Sequence, residues 1–307
     1  MTAPAAKECP GYLPRLSPSN PRPKQLNPTP AISLNSIRHV LLDIEGTTCS
    51  VKFVSEVLFP YATERLQEFL DEHASDPIVA ALLQQVDQAW EQDTDPTAQA
   101  LRVSATKNTN QPNPTQAAEG GTPPVESGPP ARVAPYLVWL IKTDRKLAPL
   151  KELQGLIWED GYRNGALQGP LYEDVAPALQ RWREAGLGLA VYSSGSVRAQ
   201  QLLYQYSSAG DLRNLFSQWF DTRIGPKYEP ASYKLICEQL ASPCSQVLFI
   251  SDSFGELQAA RSAGLTILCS DRGESPHLQP NLADVAIINS FSSIHFPPQD
   301  QIHHPHK

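Results

Sequence analysis

The sequence predicts an α/β fold, a doubly wound parallel sheet with a block of helices inserted after its first strand. Three observations predict it. From Leu171 onward, short apolar runs alternate with helical periodicity, the pattern of a parallel sheet wrapped by helices. Val40, Leu41 and Leu42 form a continuous apolar run suited to a strand covered on both faces, and it ends abruptly in Asp43-Ile44-Glu45-Gly46-Thr47-Thr48. Between those stretches, the periodicity that residues 51–166 carry is helical, interrupted by residues 104–132, which show none.

The chain has 307 residues, room for one large domain or two modest ones. Residues 1–36 hold eight of its 29 prolines and few large apolar side chains, which predicts a disordered tail that buries too little surface to offset its ordering entropy. A formal charge of −7 argues against a nucleic-acid surface, because phosphate backbones are bound mainly by clustered Lys and Arg. No apolar run reaches the roughly 20 residues of a membrane span, and the N-terminus lacks the apolar core of a signal peptide. A monomeric cytoplasmic protein with a small-molecule partner is the expectation. Five cysteines, with no C-x-x-C pair, suggest reduced thiols rather than a disulfide framework or a zinc site.

In chain order, the first strand delivers Asp43 and Glu45 to its carboxyl end, and Gly46 permits the tight turn after it. Apolar positions Leu58, Ala62, Leu66, Phe69 and Leu70 give a helix that Pro60 restarts, and Asp76 before Pro77 reads as the N-cap of a helix with Leu82, Leu83, Val86 and Trp90 on its apolar face. Residues 104–132, rich in Asn, Thr, Gly and Pro, read as a flexible insertion; doubling such a loop costs only about 0.6 kcal/mol. Helical spacing resumes over Tyr136 to Lys146 and Pro149 to Arg163. The alternating region then gives helix Val175 to Ala185, strand Leu187 to Tyr192 ending in Ser193-Ser194-Gly195-Ser196, helix Val197 to Tyr206, and strand Trp219 to Thr222 leading to Gly225-Pro226-Lys227. Helix Pro230 to Leu240, strand Val247 to Ser251 ending at Asp252, helix Gly255 to Ala263, strand Leu265 to Cys269 and a last strand at Ala286 to Ile288 complete it. The predicted organisation is a tail over 1–36, a core over 37–50 and 167–290, a helical insert over 51–166, and a solvated C-terminal tail over 291–307, in which His303, His304 and His306 read as solvated residues able to bind a metal only fortuitously.

If the strands are parallel neighbours, Asp43, Glu45, Ser193, Ser194, Lys227 and Asp252 meet at one sheet edge, where α/β sheets bind ligands. The combination reads as a phosphoryl-transfer site. A carboxylate nucleophile forms an aspartyl-phosphate, a magnesium ion held by carboxylates neutralises phosphate charge, and hydroxyls with a lysine hold the remaining oxygens. Each residue alone has a structural reading too: Asp252 and Ser193 to Ser196 as helix caps, the strand-end acids as solvated turn residues, Trp158 and Tyr162 as core aromatics, Cys49 as packing.

Asp43-x-Glu45-Gly46-Thr47, Ser193, Lys227 and the Asp252 to Glu256 pair match in order the four motifs of the haloacid dehalogenase-like phosphohydrolases. That superfamily usually has aspartate two residues after the nucleophile. Here Glu45, followed by Phe53-Val54, Val57-Leu58-Phe59-Pro60-Tyr61-Ala62, Gly155-Leu156-Ile157-Trp158-Glu159-Asp160-Gly161-Tyr162 and Ile224-Gly225-Pro226-Lys227, resembles the enolase-phosphatase (acireductone synthase) family. Ser270-Asp271-Arg272-Gly273 departs from that family's usual R-P-G ending.

The resemblance implies a haloacid dehalogenase-like core with a helical cap. It also implies a methionine-salvage enzyme, with one Mg2+ per subunit, that converts 2,3-diketo-5-methylthiopentyl-1-phosphate to acireductone and phosphate. In it Asp43 is nucleophile and metal ligand, Glu45 lies near the metal as the candidate acid-base, and Asp252 is the remaining ligand. Ser193, Ser194 and Lys227 are phosphate or substrate contacts, with Glu159 and Tyr162 as cap contacts. A phosphatase of another small phosphate ester, and a non-catalytic binding module on the same fold, are the competing readings.

Overall fold

The computed structural model of the protein describes residues 34–109, 129–274 and 285–296. Most of the predicted N-terminal tail, the central part of the 104–132 insertion, and His303, His304 and His306 lie outside the described residues.

Six parallel strands form one sheet: β1 (His39–Leu42), β2 (Gly188–Tyr192), β3 (Gln218–Phe220), β4 (Val247–Ser251), β5 (Thr266–Ser270) and β6 (Ile287–Ile288), in the order β3-β2-β1-β4-β5-β6. The apolar runs are buried on both faces because alternate side chains of a strand point opposite ways. Val40 and Leu42 join Leu189, Val191, Leu248 and Ile250 on one face, while Leu41 joins Ala190, Tyr192, Val247 and Phe249 on the other. Each such Leu or Ile stabilises the fold by roughly 1.5–3 kcal/mol relative to exposure. From β1 the chain builds outward through β2 and β3, then returns to β4 on the opposite side. The order therefore reverses at β1, which puts the carboxyl ends of β1 and β4 at the switch point where α/β folds bind ligands.

Among the described residues the insert after β1 carries five helices, α1 (Phe59–His73), α2 (Pro77–Gln92), α3 (Pro96–Thr109), α4 (Pro129–Lys142) and α5 (Ala148–Arg163), preceded by a π-helical turn over Phe53–Leu58. The Asp76 cap forms as expected, its carboxylate accepting from the amides of Ile78 (2.7 Å) and Val79 (3.4 Å). Two expectations need correction. The flexible insertion is helical at both ends, since α3 runs to Thr109 and α4 begins at Pro129 and continues through Pro135. Burial of Val133, Ala134, Tyr136 and Leu137 overrides the proline's missing donor. Trp90 holds this layer together, donating its indole N–H to the Ala98 carbonyl at 2.8 Å and stacking on Tyr136 at 4.8 Å.

The remaining helices, α6 (Val175–Glu184), α7 (Val197–Gln205), α8 (Pro230–Gln239) and α9 (Phe254–Ser262), fall where periodicity put them. The second correction concerns the start of the supposed solvated C-terminal tail. Phe291 and Ile294 are buried, and Phe291 packs against Trp182 of α6 at 5.2 Å, because large apolar rings are taken up by the nearest apolar face. The two chain segments joining sheet to insert run side by side: Cys49 bridges to Glu45 and to Leu171, and the Tyr172 amide donates to the Thr48 carbonyl at 3.1 Å.

Candidate active site

β1 is short and fully covered, so Asp43 leaves it as a buried carboxylate. The Ile44 amide donates to Asp43 Oδ1 at 2.8 Å, and the Lys227 ammonium donates to the same oxygen at 2.7 Å. The Ser251 hydroxyl, at the end of β4, donates to Asp43 Oδ2 at 3.0 Å, with Glu256 Oε2 an alternative acceptor at 3.1 Å. Lys227 also pairs with Glu256 at 2.6 Å. One buried ammonium thus faces two carboxylates. Burial opposes the lysine's charge, but the Asp43 and Glu256 carboxylates more than offset this and hold it protonated. Burial and the Asp43 charge, only partly countered by Lys227, raise Glu256 well above the usual carboxylate range. The arrangement keeps Lys227 charged between two carboxylates and disfavours a second full negative charge on Glu256.

Glu45 stands two residues on. Burial first, then the charges of Asp43 and Asp252, push its pKa up to about 7 against the pull of Lys227 and Lys146. Gly46 turns the chain at φ +68°, and a Cβ there would lie 2.2 Å from Asp252 Oδ2. Only glycine lets Asp252 and the β1 turn come so close. Among the described residues, no three His, Cys, Asp or Glu side chains converge as a ready-made metal cage.

The capping alternatives are settled by the helix ends. Ser196, not Ser193, caps α7 by accepting from the Ala199 amide at 3.3 Å, and the N-cap position of α9 is Ser253 rather than Asp252. Ser193 is buried and accepts from the Gly195 amide at 3.2 Å, while the Ser194 carbonyl accepts from Lys151 of α5 at 2.8 Å. Gln200 fastens this loop through the carbonyls of Gly195 (2.9 Å) and Phe220 (2.8 Å).

Between the helical insert and the sheet edge lies a cavity of about 640 Å³. Glu45, Ser193 and Ser194 open onto it from the sheet, and Lys146, Lys151 and Gln154 from the insert. Leu58, Phe59, Leu140, Leu147 and Trp158 make its wall largely apolar. The structure therefore brings Asp43, Glu45, Lys227 and Asp252 together at one edge, with Ser193 and Ser194 on the adjoining cavity. Glu159 and Tyr162 are not among the residues that line it. Glu159 pairs with Arg198 of α7 and with Arg163 at 2.5 Å, and Tyr162 stacks on Tyr206 at 5.5 Å. Sequence reasoning missed Ser251, which a hydroxyl directly before the strand-end acid signals, and Lys151, which only the folded insert brings to the cavity.

The haloacid dehalogenase-like hydrolase family matches over residues 37–264. Enolase-phosphatase E1 of Synechococcus sp. RCC307 is 49% identical over 245 residues, 80% of this chain and 89% of the relative. The enzyme of that name from Synechococcus elongatus is 45% identical over 259 residues, 84% and 98% of the two chains. In Methylococcus capsulatus it is 43% identical over 254 residues, 82% and 97%. Among solved structures, the UTR4 protein of Saccharomyces cerevisiae superposes with a TM-score of 0.59 at 28% identity, covering 84% of this chain and 100% of that one. With the motif residues gathered at one sheet edge and relatives matched over nearly their whole length, the chain belongs to the enolase-phosphatase family of haloacid dehalogenase-like hydrolases.

Proposed function

We propose that the protein is a magnesium-dependent enolase-phosphatase that acts on 2,3-diketo-5-methylthiopentyl-1-phosphate, releasing acireductone and phosphate in methionine salvage. The observation that carries this reading is a strand-end carboxylate, Asp43, held by amide, hydroxyl and ammonium donors, with a second acid, Glu45, opening onto the cavity beside it.

The residues fit magnesium. The donor set is all oxygen, the side-chain-free Gly46 lets Asp252 reach the Asp43 turn, and magnesium suits a site with few protein carboxylates, since it completes its shell with water and phosphate. Asp43, Glu45 and Asp252 would hold it, one ion per subunit, and when bound it supplies positive charge toward the phosphate oxygens. Glu45 takes the proton from the carbon between carbonyl and phosphate ester, leaving the electron pair as an enol whose oxygen is protonated in turn. An Asp43 oxygen then attacks phosphorus as the ester P–O bond breaks, and water cleaves the acyl phosphate to restore Asp43. Lys227 keeps the Asp43 carboxylate oriented, and Ser193 and Ser194 face the phosphate. The five-helix insert acts as a cap, its apolar wall taking the methylthioalkyl tail. In this reading the working unit is a cytoplasmic monomer, and Glu159 and Tyr162 support the cap rather than touch substrate.

Supplying the purified protein with the diketone phosphate and magnesium, and following enol absorbance and phosphate release separately, tests this. Both signals are expected from the wild type, neither phase of phosphate release from Asp43→Asn, and loss of the enol signal from Glu45→Gln. Phosphate without an enol intermediate indicates a phosphatase of another ester; neither signal indicates a binding module.

A further inference from the structure

Beyond the end of β5 the chain continues as Ser270-Asp271-Arg272-Gly273-Glu274, and every second residue turns toward the segment that follows Glu45. The Ser270 hydroxyl donates to the Gly46 carbonyl at 3.0 Å. Arg272 donates to the next carbonyl, Thr47, from both Nε (3.1 Å) and Nη2 (2.9 Å). Glu274 accepts from the Ser50 hydroxyl at 2.6 Å. The guanidinium is nearly sealed from solvent, its side chain only 5% exposed, and its other face is also spoken for. Nη1 donates to both Asp174 oxygens (3.0 and 2.9 Å) and to the Asn289 carbonyl (3.1 Å), while the rings of Tyr172 and Phe291 lie 4.6 and 4.7 Å from its centre.

Thr47 belongs to the segment that leaves the sheet for the helical insert, and Asp174 to the one that returns, so one planar cation grips both crossings. Burying a guanidinium is costly unless every donor is satisfied. Here its donors meet carbonyls and a carboxylate, and the site gains a fixed frame. With the Gly46 and Thr47 peptide planes locked from the sheet side, Gly46 stays against Asp252 and the Glu45 backbone keeps its place, whatever the helices above do.

We propose that Arg272, assisted by Ser270, is a positioning residue for the reaction, clamping the Gly46-Thr47 turn so that Asp43, Glu45 and Asp252 stay in register while the cap moves. The proposal rests on the enolase-phosphatase reading only for the choice of substrate.

Arg272→Met removes the fork at nearly constant length, and Arg272→Lys keeps a charge for Asp174 that cannot also reach Thr47. Both are assayed with the diketone phosphate and magnesium at a temperature where unfolding curves show each variant fully folded. Arg272→Met is expected to lower kcat by about 10-fold to 100-fold, the usual effect of losing a group that orients active-site ligands, with KM little changed. Arg272→Lys is expected to regain stability without regaining kcat. If the folded variants turn over at the wild-type rate, or kcat simply follows stability across Met and Lys, the proposal falls. Should the wild type release phosphate without an enol, the functional reading fails instead, and the clamp is still tested on phosphate release.

Discussion

Asp174 stands where the chain returns from the helical insert. Burial alone would raise its pKa, but the Phe291 amide, the Arg272 guanidinium and the Ser290 hydroxyl more than offset this and hold the carboxyl below its ordinary range. A carboxyl with a depressed folded pKa contributes stability that is complete above its unfolded value of about 3.9 and is lost as pH falls through the folded value. Asp174→Asn is therefore expected to lower the unfolding free energy near neutral pH by roughly 1–3 kcal/mol, and the gap from wild type to close in acid. Denaturant titrations from pH 7 downward check this; a gap independent of pH would mean that the charge is not what matters. At the same scale, Asp43, Glu45, Ser193, Lys227 and Asp252 are legible in sequence because each follows an apolar run or lies in the short loop beyond one. Arg272 is not, because nothing in its spacing marks it. Its partners, Thr47, Asp174 and Asn289, are remote in sequence and adjacent only once β5 lies beside β1's turn.

Among the elements, the turn after β1 is the most exacting. Gly46 combines a left-handed backbone with a neighbouring carboxylate oxygen 2.2 Å from where a Cβ would stand. Gly46→Ala is expected to cost about 1–2 kcal/mol from the backbone alone, and to lower phosphate release far more than that loss of stability explains, because Asp252 must withdraw. Unfolding curves measured beside phosphate release decide it; normal activity would show that Asp252 is not needed in that place. The strands were legible because apolar runs and turn residues coincide. α3 was not, because the residues that bury it, Ala98, Leu101 and Ala105, are mostly small and leave a faint stripe. The packed start of the C-terminal segment is not legible for a different reason, since Phe291 and Ile294 are too few to make a period and the Trp182 ring that Phe291 packs on is remote in sequence.

At the scale of the whole molecule, insert and sheet meet, among the described residues, through few polar links. The Trp158 indole of α5 donates to the Leu58 carbonyl at 2.8 Å within the insert, whereas Glu159 and Lys151 reach across to Arg198 and to the Ser194 carbonyl. Arg198 is about half exposed, so Arg198→Ala is expected to change stability by less than about 1 kcal/mol. Its effect should appear in KM, because one of the two links that set the insert over the serine loop is gone. Steady-state kinetics with an unfolding curve separate the two, and a large stability loss with unchanged KM would make the pair a structural one.

The neighbouring crossings at Cys49 and Leu171 have a consequence for descent. Because the insert leaves and re-enters the sheet at one spot, its length and sequence can drift without altering strand register, and the bond-breaking groups beneath it need not change. In the proposed function, substrate choice rests on the insert and bond chemistry on the sheet edge, two separable stretches of one polypeptide, so rewriting the helices alone is expected to change the substrate.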